Sequence, residues 1–159
     1  MAAPARENTG YSVYFITAST FQRRLLLSTE PMARLFLEVL FHYRDKRNYF
    51  LHEFVLMADH FHLLLSPTLS LERSLQLIKG GFSYRARKEL EFQGEVWEKS
   101  FDDRRVRGME DYYNFKQYIR RNPVKRGLIG LPEEYPYSSA HPGFMLDEVP
   151  ERVRLGLTG

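Results

Sequence analysis

The chain carries two histidines, His60 and His62, separated by one residue inside an otherwise apolar run. Alternate side chains of a β-strand point to opposite faces, so both imidazoles are expected on one face and Phe61, Leu63 and Leu65 on the other. A neutral imidazole is a common metal ligand, and a pair fixed on a strand sets the spacing of its nitrogens in advance. The alternative is two core histidines bonded to the backbone, which requires two separate sets of polar partners.

A second pair with chemical potential is Tyr118 and Asn122, four residues apart in a segment with helical character. This spacing places both side chains on one helical face, with Arg121 near it. A phenolic hydroxyl is a weak nucleophile at its usual pKa of about 10, so it needs an activated target or a nearby base. An Asn amide oxygen is a hard ligand that suits a site with two histidines. Two structural alternatives stay open: Tyr118 packed on a sheet, and Asn122 ending its helix before Pro123.

The composition is typical of one globular domain. A chain of 159 residues with 43% hydrophobic and 27% charged residues can form a sizeable core. We expect a single domain over 1–159, with an irregular tail over about 127–159. Cysteine is absent, which excludes disulfides, thiolate metal sites and cysteine nucleophiles. No apolar run approaches the roughly 18 residues of a membrane span, and residues 1–8 lack the apolar core of a signal peptide, so we expect a cytoplasmic protein.

The net charge of +3 is unevenly distributed. Lys and Arg number 8 against 7 Asp and Glu over residues 1–78, 13 against 8 over 79–126, and 2 against 5 over 127–159. A local basic excess with interleaved aromatic residues indicates binding to a polyanion. The alternative is a set of solvated helix faces without a ligand.

The residue pattern predicts alternating strands and helices. Strands are expected over 11–17, 50–57, 60–65 and 96–106. Helices are expected from an N-cap at Thr29 to residues 47–48, after an N-cap at Ser70, and over 109–121, stopped before Pro123. Gly80 and Gly81 in the second helix predict either a kink or a close approach of another backbone.

This order, β-α-β-β-α-β followed by a helix, predicts an α+β fold. The corresponding architecture is ferredoxin-like: a four-stranded antiparallel sheet with helices on one face, plus a C-terminal helix that carries Tyr118 and Asn122 and is the candidate catalytic helix. The dipeptide Ala58-Asp59 is too short for more than a tight turn, so residues 60–65 are expected to return antiparallel to the preceding strand.

Several segments resemble a known family. His60-Phe61-His62 resembles the histidine-hydrophobic-histidine motif of the HUH nucleases, and Tyr118 through Val124 is similar to the single-tyrosine transposases of that superfamily. Within that superfamily, the chain resembles the REP-associated tyrosine transposase branch more closely than the insertion-sequence enzymes. The resemblance extends over the first strand, residues 78–83, residues 97–103, residues 118–128 and Tyr137-Ser138-Ser139. One departure is Ala58-Asp59, where the family most often has Pro-Asn.

The resemblance implies metal-dependent cleavage and rejoining of single-stranded DNA. His60, His62 and Asn122 would hold a divalent ion on the scissile phosphate, and Tyr118 would be the nucleophile that forms a 5′-phosphotyrosine link. The family uses Mg²⁺ or Mn²⁺, although two imidazoles alone would also suit zinc or other transition metals.

The implied substrate is a DNA hairpin formed by one strand of a palindromic repeat. Basic side chains would contact its phosphates, and aromatic ones could stack on unpaired bases. Trp97 is expected in the core instead. The branch implies a monomer with Tyr118 acting in cis, with a helix-swapped homodimer as the alternative. The expected phosphate contacts are Arg23, Arg24, Lys79, Arg85, Arg87, Arg104, Arg105, Arg120, Arg121, Lys125 and Arg126, with Arg121 the first choice among those flanking Tyr118.

Three other functions remain open on the sequence alone. A ferredoxin-like sheet with basic loops could be a non-catalytic nucleic-acid-binding module with structural histidines. A domesticated transposase could bind hairpins without strand transfer, although intact His60, His62 and Tyr118 argue against this. A hydrolase that uses water would not need the Tyr118 hydroxyl.

Overall fold

A computed structural model describes residues 11–156 of the chain. Residues 1–10, to which the signal-peptide argument applies, lie outside the described part. The elements, in chain order, are β1 (Tyr14–Ser19), a 3-10 turn (Phe21–Arg23), α1 (Glu30–Asp45), β2 (Tyr49–Leu56), β3 (His60–Pro67), α2 (Leu71–Leu90), β4 (Asp102–Arg105), α3 (Met109–Lys125), a 3-10 turn (Pro132–Glu134) and α4 (Glu151–Arg154).

The four strands form one antiparallel sheet in the order β2-β3-β1-β4. β1 is central and pairs Thr17 with His62 of β3 on one side and with Asp102 of β4 on the other. A register shift between Leu51 and Glu53 interrupts the β2–β3 ladder. This topology confirms the predicted α+β fold with a four-stranded antiparallel sheet.

One face of the sheet is covered by α1 and α2 and forms the main hydrophobic core. Phe61, Leu63 and Leu65 point into it, as their alternation predicts, and Trp97 joins them. The Trp97 indole N–H donates to the Lys79 carbonyl oxygen over 3.0 Å, which confirms a core role for this residue. The two helices lie close together at Gly81, where a Cβ atom would come within 2.9 Å of the Tyr43 ring.

The opposite face carries α3. Ile119 of α3 packs in a second, smaller cluster with Val55 and Leu64, which alternate along the strands with residues of the main core. The expected arrangement of two helices on one face and a further helix beyond the fourth strand is therefore present. The further helix lies on the face to which His60 and His62 belong.

Two element boundaries differ from the sequence prediction. The fourth strand spans four residues rather than 96–106, because Val96 and Trp97 turn into the core and contribute only an isolated bridge to Thr20. Helix α3 continues past Pro123. It ends instead at Lys125, two residues before Gly127, whose positive φ of 73° allows the chain to turn away from the helix.

The helix N-termini also differ from each other. Ser70 caps α2 as predicted, since its side chain accepts from the Arg73 backbone N–H. Thr29 precedes α1 but its side chain makes no capping bond; α1 begins with Pro31 in its first turn. Gly80 and Gly81 do not break α2, which runs without interruption.

The C-terminal tail covers the outer edge of β2. The Leu56 N–H donates to the Tyr137 carbonyl over 2.8 Å, and the Ser139 N–H donates to the Phe54 carbonyl over 2.9 Å. Pairing an edge strand in this way protects it from association with other chains. Within the described residues, no helix has both the length and the apolar character needed to cross a membrane.

Candidate active site

The first part of the site is the histidine pair at the start of β3. His60 is 3% exposed and His62 is 5% exposed, and their ring centroids lie 4.9 Å apart. Both side chains face α3 because Leu64, two residues beyond His62, belongs to the cluster around Ile119. The pair is therefore close together and shielded, as the i, i+2 spacing predicts.

His60 is held by the residue that precedes it. Its Nδ1 lies 2.7 Å from Oδ1 of Asp59. An ionised carboxylate only accepts hydrogen bonds, so Nδ1 carries the proton and Nε2 keeps its lone pair. Burial lowers the pKa of His60, and the hydrogen bond to Asp59 opposes this shift only in part. The ring is therefore neutral near pH 7.

His62 is held from the neighbouring strand. Its Nδ1 lies 2.9 Å from the Thr17 hydroxyl oxygen, and the Phe15 ring stacks on it at 5.2 Å. Burial, together with the nearby His60, lowers the pKa of His62 to about 3. Nε2 of neither histidine has a hydrogen-bond partner within residues 11–156. Each of the two neutral imidazoles thus has one ring nitrogen, Nε2, that is available as a metal ligand.

Asn122 supplies a third unused atom. Its side chain is 5% exposed, and Oδ1 is buried without any hydrogen-bond partner in the described part of the chain. A buried acceptor left unpaired costs about 1–3 kcal/mol, so such atoms normally have a partner or a role. Oxygen and imidazole nitrogen together suit a divalent cation. The residues present therefore fit a metal ion, although no three His, Cys, Asp or Glu side chains cluster within residues 11–156.

Tyr118 lies beside the histidines, one helical turn before Asn122. Its ring packs edge-on against His62 at 5.3 Å and against Phe15 at 5.9 Å. The side chain is nevertheless 48% exposed. A phenol that is held by its ring and open to solvent at its edge can reach a phosphate bound from outside.

A buried carboxylate fixes the orientation of α3. Glu53 of β2 accepts from Arg120 Nε over 3.1 Å and from the Ser139 hydroxyl over 2.6 Å, and Lys116 Nζ lies 3.8 Å away. Lys116 and Arg120 are one turn apart on α3 and therefore share an edge of the helix. Together with Ile119, this contact joins α3 to the sheet of its own chain.

The predicted basic residues near Tyr118 divide into two groups. Arg120 is paired with Glu53. Arg121, Lys125 and Arg126 are exposed, and their side chains have no ion-pair or hydrogen-bond partner within residues 11–156. Among these, the charge of Arg126 extends to the site, since it lowers the pKa of both His60 and His62.

Arg23, the last residue of the 3-10 turn after β1, and Arg24, the residue that follows it, also differ in their contacts. Arg23 Nε donates to Oδ2 of Asp59 over 3.1 Å, so this side chain lies at the edge of the histidine pair. Its charge contributes to the lowered pKa of both histidines. Arg24 lies over the Phe21 ring and donates to the Gln22 side chain.

The remaining predicted contacts are less closely gathered. Arg85 pairs with Glu38 and Glu89 between α1 and α2, on the face of the sheet opposite the histidines. On the same helix, Lys79 and Arg87 donate to backbone carbonyls of the segment after α2. Arg104 and Arg105 lie on β4.

Arg104 is paired with Phe15 in the β1–β4 ladder and is therefore on the histidine face. With Thr17 and Asp102 it lines an open cavity of about 410 Å³ beside the site. The basic residues of α3 and Arg104 of β4 thus share a face with the site. Arg105, which pairs with Tyr14, and the basic residues of α2 do not.

Sequence reasoning missed four residues that support the site. Asp59 had a detectable signal, since a carboxylate adjacent to a metal-ligating histidine commonly orients it. The contacts of Thr17, Glu53 and Ser139 could not be predicted, because they depend on strand register and on the path of the tail, although Thr17 and Ser139 lie in segments that resemble the family.

The chain is similar to known transposases in sequence. The model of the family "Transposase IS200 like" matches residues 10–122. A Haemophilus influenzae protein assigned as a REP-associated tyrosine transposase is 26% identical over 108 residues, which is 60% of this chain and 61% of that protein. The match thus spans less than two thirds of that relative's length.

Two solved structures share the fold. A REP-associated tyrosine transposase bound to a REP hairpin superimposes with a TM-score of 0.71 at 21% identity, over 89% of this chain and 84% of that one. A transposase-like protein from Deinococcus radiodurans gives a TM-score of 0.53 at 21% identity, over 75% of this chain and 95% of that one. At this identity the two structures establish a common fold. With the family model covering most of the chain, including both histidines, Tyr118 and Asn122, the chain belongs to the family of IS200-like transposases.

Proposed function

We propose that this chain is a metal-dependent tyrosine transposase that cleaves and rejoins single-stranded DNA at hairpin-forming palindromic repeats. The carrying observation is that Asn122 Oδ1 is buried without a partner, on the helix whose Tyr118 packs against His62. A buried oxygen without a hydrogen-bond partner in the described chain lowers stability, and binding a metal ion would give this oxygen a partner. His60 and His62, neutral and open at Nε2, would supply the other two ligand atoms.

Tyr118 is the proposed nucleophile. Its Oη attacks the scissile phosphorus, forming a P–O bond as the bond from phosphorus to the 3′ oxygen of the preceding nucleotide breaks. The phenolic proton passes through solvent to the leaving 3′ oxygen, giving a 5′-phosphotyrosine and a free 3′-hydroxyl. A divalent ion held by His60, His62 and Asn122, Mg²⁺ or Mn²⁺ in our proposal, would neutralise charge on the phosphate oxygens. Attack by a 3′-hydroxyl on the link reverses the reaction without ATP.

The surface around Tyr118 supports a polyanionic substrate. Arg121, Lys125 and Arg126 are exposed on the same helix and its end, without ion-pair partners within residues 11–156. Unpaired cations next to a nucleophile suit phosphate contacts, which position a strand without reading its sequence. A hairpin as the particular substrate rests on the likeness to a REP-associated tyrosine transposase whose structure holds a REP hairpin. The place of action would be the nucleoid, in the bacterial cytoplasm.

We propose further that Tyr118 acts in cis in a monomer. Helix α3 packs on the sheet of its own chain through Ile119, and Arg120 contacts the buried carboxylate of Glu53. A helix-swapped dimer would form the same ion pair between two chains, so the mass of the active protein in solution tests the monomer directly.

The proposal is tested on a denaturing gel. Single-stranded hairpin DNA from the host's own palindromic repeats is labelled at its 3′ end, because a 5′-phosphotyrosine retains the downstream fragment. Incubation with protein and Mg²⁺ or Mn²⁺ is expected to give a labelled band that resists denaturation and disappears with EDTA.

The matched variants are Tyr118→Phe and Tyr113→Phe, both exposed tyrosines of α3, at 48% and 58%. We expect Tyr118→Phe to abolish the labelled band and Tyr113→Phe to leave it. DNA binding without any covalent band, with several hairpins and both metals, would contradict the proposal and favour a binding module. Cleavage that survives Tyr118→Phe would indicate a hydrolase.

A further inference from the structure

The two histidines are held by chemically different groups. His60 donates from Nδ1 to a carboxylate, Asp59, over 2.7 Å, whereas Nδ1 of His62 contacts a neutral hydroxyl, Thr17, at 2.9 Å. A carboxylate that accepts a hydrogen bond from Nδ1 of an imidazole fixes the tautomer of the ring and makes Nε2 a stronger metal ligand. A hydroxyl can donate or accept, so it fixes the tautomer less firmly and strengthens the ligand nitrogen less.

Asp59 is rigidly placed for this role. Its backbone carbonyl accepts from the Thr20 N–H over 2.9 Å, and the carbonyl of Ala58 accepts from the Leu27 N–H over 2.9 Å. The turn between β2 and β3 is closed by the Met57 N–H, which donates to the His60 carbonyl over 2.8 Å. The carboxylate therefore has little freedom to leave His60.

Both carboxylate oxygens of Asp59 are occupied. Oδ1 accepts from His60, and Oδ2 accepts from Arg23 Nε over 3.1 Å. Arg23 and its neighbour Gln22 have φ values of 57° and 55°, a left-handed conformation that is costly for residues other than glycine. Neighbouring groups hold this turn, since the Gln22 N–H donates to Glu98 Oε2 over 2.6 Å. The strained turn directs Arg23 onto Asp59.

We propose that Asp59 is a positioning residue of the metal site: it holds His60 as the Nδ1–H tautomer and strengthens Nε2 as a ligand, and Arg23 acts on the site through Asp59. This inference rests on the proposed function, because it concerns the affinity for the ion that function requires. It assigns Arg23 a role beyond the phosphate contact that the sequence predicts.

The test measures Mn²⁺ binding without DNA, by the loss of the free-ion signal in electron paramagnetic resonance. Asp59→Asn keeps the size of the side chain and removes its charge; we expect it to raise the Kd for Mn²⁺ about 10- to 100-fold. The matched control is Asp102→Asn, which removes an exposed charge from β4, beside the cavity that Thr17 lines, without a contact to either histidine. We expect the control to change the Kd less than about twofold, because a water-exposed charge is largely screened.

A second readout follows the tautomer directly, by ¹⁵N chemical shifts of the histidine rings in the metal-free protein. Native His60 is expected to show a protonated Nδ1 and an unprotonated Nε2, and Asp59→Ala is expected to lose this preference. His62 should remain unchanged in the same spectra. These shifts do not depend on catalytic activity or on global stability, so a purely structural role of Asp59 would leave them unaltered.

Arg23→Gln in the Asp59→Asn background tests the second part. If Arg23 acts through Asp59, Arg23→Gln raises the Kd more than about twofold in the native background and changes it by less than about twofold in the Asp59→Asn background, since residues in one network are not additive. A larger further change would assign Arg23 a direct effect.

An unchanged Kd and tautomer in Asp59→Asn and Asp59→Ala would overturn the inference and leave the proposed function intact. Failure of the native protein to bind Mn²⁺ at all would instead overturn the proposed function together with the affinity claim.

Discussion

His52 on β2 and the pair on β3 belong to adjacent strands and are all buried, yet their hydrogen bonds differ. His52 Nδ1 lies 2.9 Å from the Asp147 carbonyl, and Nε2 lies 2.8 Å from the Ser66 hydroxyl. The carbonyl only accepts, so Nδ1 donates and Nε2 accepts. His60 and His62 each have one nitrogen bonded and one without a partner in the described chain.

The comparison separates structural from functional histidines by the hydrogen bonds they leave unmade. Burial alone does not, because the pKa of all three is lowered, in each case chiefly by desolvation. A histidine whose two ring nitrogens both have hydrogen-bond partners is satisfied by the fold and has a structural role. One with a single bonded nitrogen is oriented by that bond and has a lone pair to offer.

The strongest test exchanges the two kinds of histidine for glutamine. We expect His62→Gln to raise the Kd for Mn²⁺ by roughly a hundredfold or more, because a first ligand matters at least as much as the groups that orient it. His52→Gln should leave the Kd within about twofold and instead lower the free energy of unfolding by about 1–3 kcal/mol, because it disturbs two buried hydrogen bonds.

Metal titration and urea unfolding of the two variants measure both effects. A loss of Mn²⁺ affinity in His52→Gln, with His62→Gln unaffected, would show that His52 binds the metal and that His62 is structural.

The same contrast between paired and unpaired groups applies to adjacent arginines of α3. Arg120→Met removes the partner of the buried Glu53 and should lower the free energy of unfolding by about 2–3 kcal/mol, somewhat less than for a fully buried pair because Ser139 and Lys116 still contact the carboxylate. Arg121→Met should change stability by less than about 0.5 kcal/mol and weaken hairpin binding in a salt-dependent way.

Urea unfolding and DNA-binding isotherms at two salt concentrations check this pair of variants. Equal destabilisation by both substitutions would show that Glu53 is not the specific anchor of α3.

Asn122 extends the comparison to an oxygen. Asn122→Leu replaces an unpaired buried amide with an apolar side chain of similar size, so we expect the protein to become more stable by about 1 kcal/mol. The same variant should lose about tenfold or more in Mn²⁺ affinity. Thermal unfolding with and without Mn²⁺ measures both quantities, and a destabilised variant with native metal affinity would show that Asn122 has a structural role only.

A pH series sharpens the comparison with the smallest effect. The folded-state pKa of His52, His60 and His62 is lowered from the unfolded value of 6.5, so the unfolded chain binds more protons below that pH. Stability is therefore fully present above about pH 6.5 and decreases as the pH falls, and the contribution of His62 continues to decrease to about pH 3.

Each histidine contributes at most about 1.4 kcal/mol per pH unit in this window. Urea midpoints between pH 7.5 and 5 should fall for the native protein and less steeply for His62→Gln. Parallel curves for the two proteins would contradict the neutral state assigned to His62.

Much of the fold could be predicted from local patterns. The alternation around His60, the cap at Ser70 and the short turn at Ala58-Asp59 each act within a few residues, and together they give the observed strand order. The length of the fourth strand and the end of α3 could not be predicted this way. Trp97 leaves the sheet for a distant core contact, and α3 passes Pro123 because the helix stop is set by Gly127.

The candidate site could be predicted from the sequence to the same extent as the fold. The spacings at residues 60 and 62 and at 118 and 122 are local, and the structure places Tyr118 against His62. Thr17 and Glu53 act across strands, and their roles follow only from register and helix packing. Nor could the sequence distinguish His52 from His60, since the deciding partners of His52 are 14 and 95 residues away.

The central claim is that Tyr118 attacks DNA, and the most direct measurement is the site of the covalent link. The denatured adduct is digested with nuclease and trypsin, and the peptides are analysed by mass spectrometry. Cleavage after Lys116 and Arg120 places Tyr118 in the peptide over 117–120, whereas Tyr112 and Tyr113 fall in the peptide over 108–116. A nucleotide mass on the 117–120 peptide is the predicted result, and its presence on the 108–116 peptide or on any other residue would contradict the account.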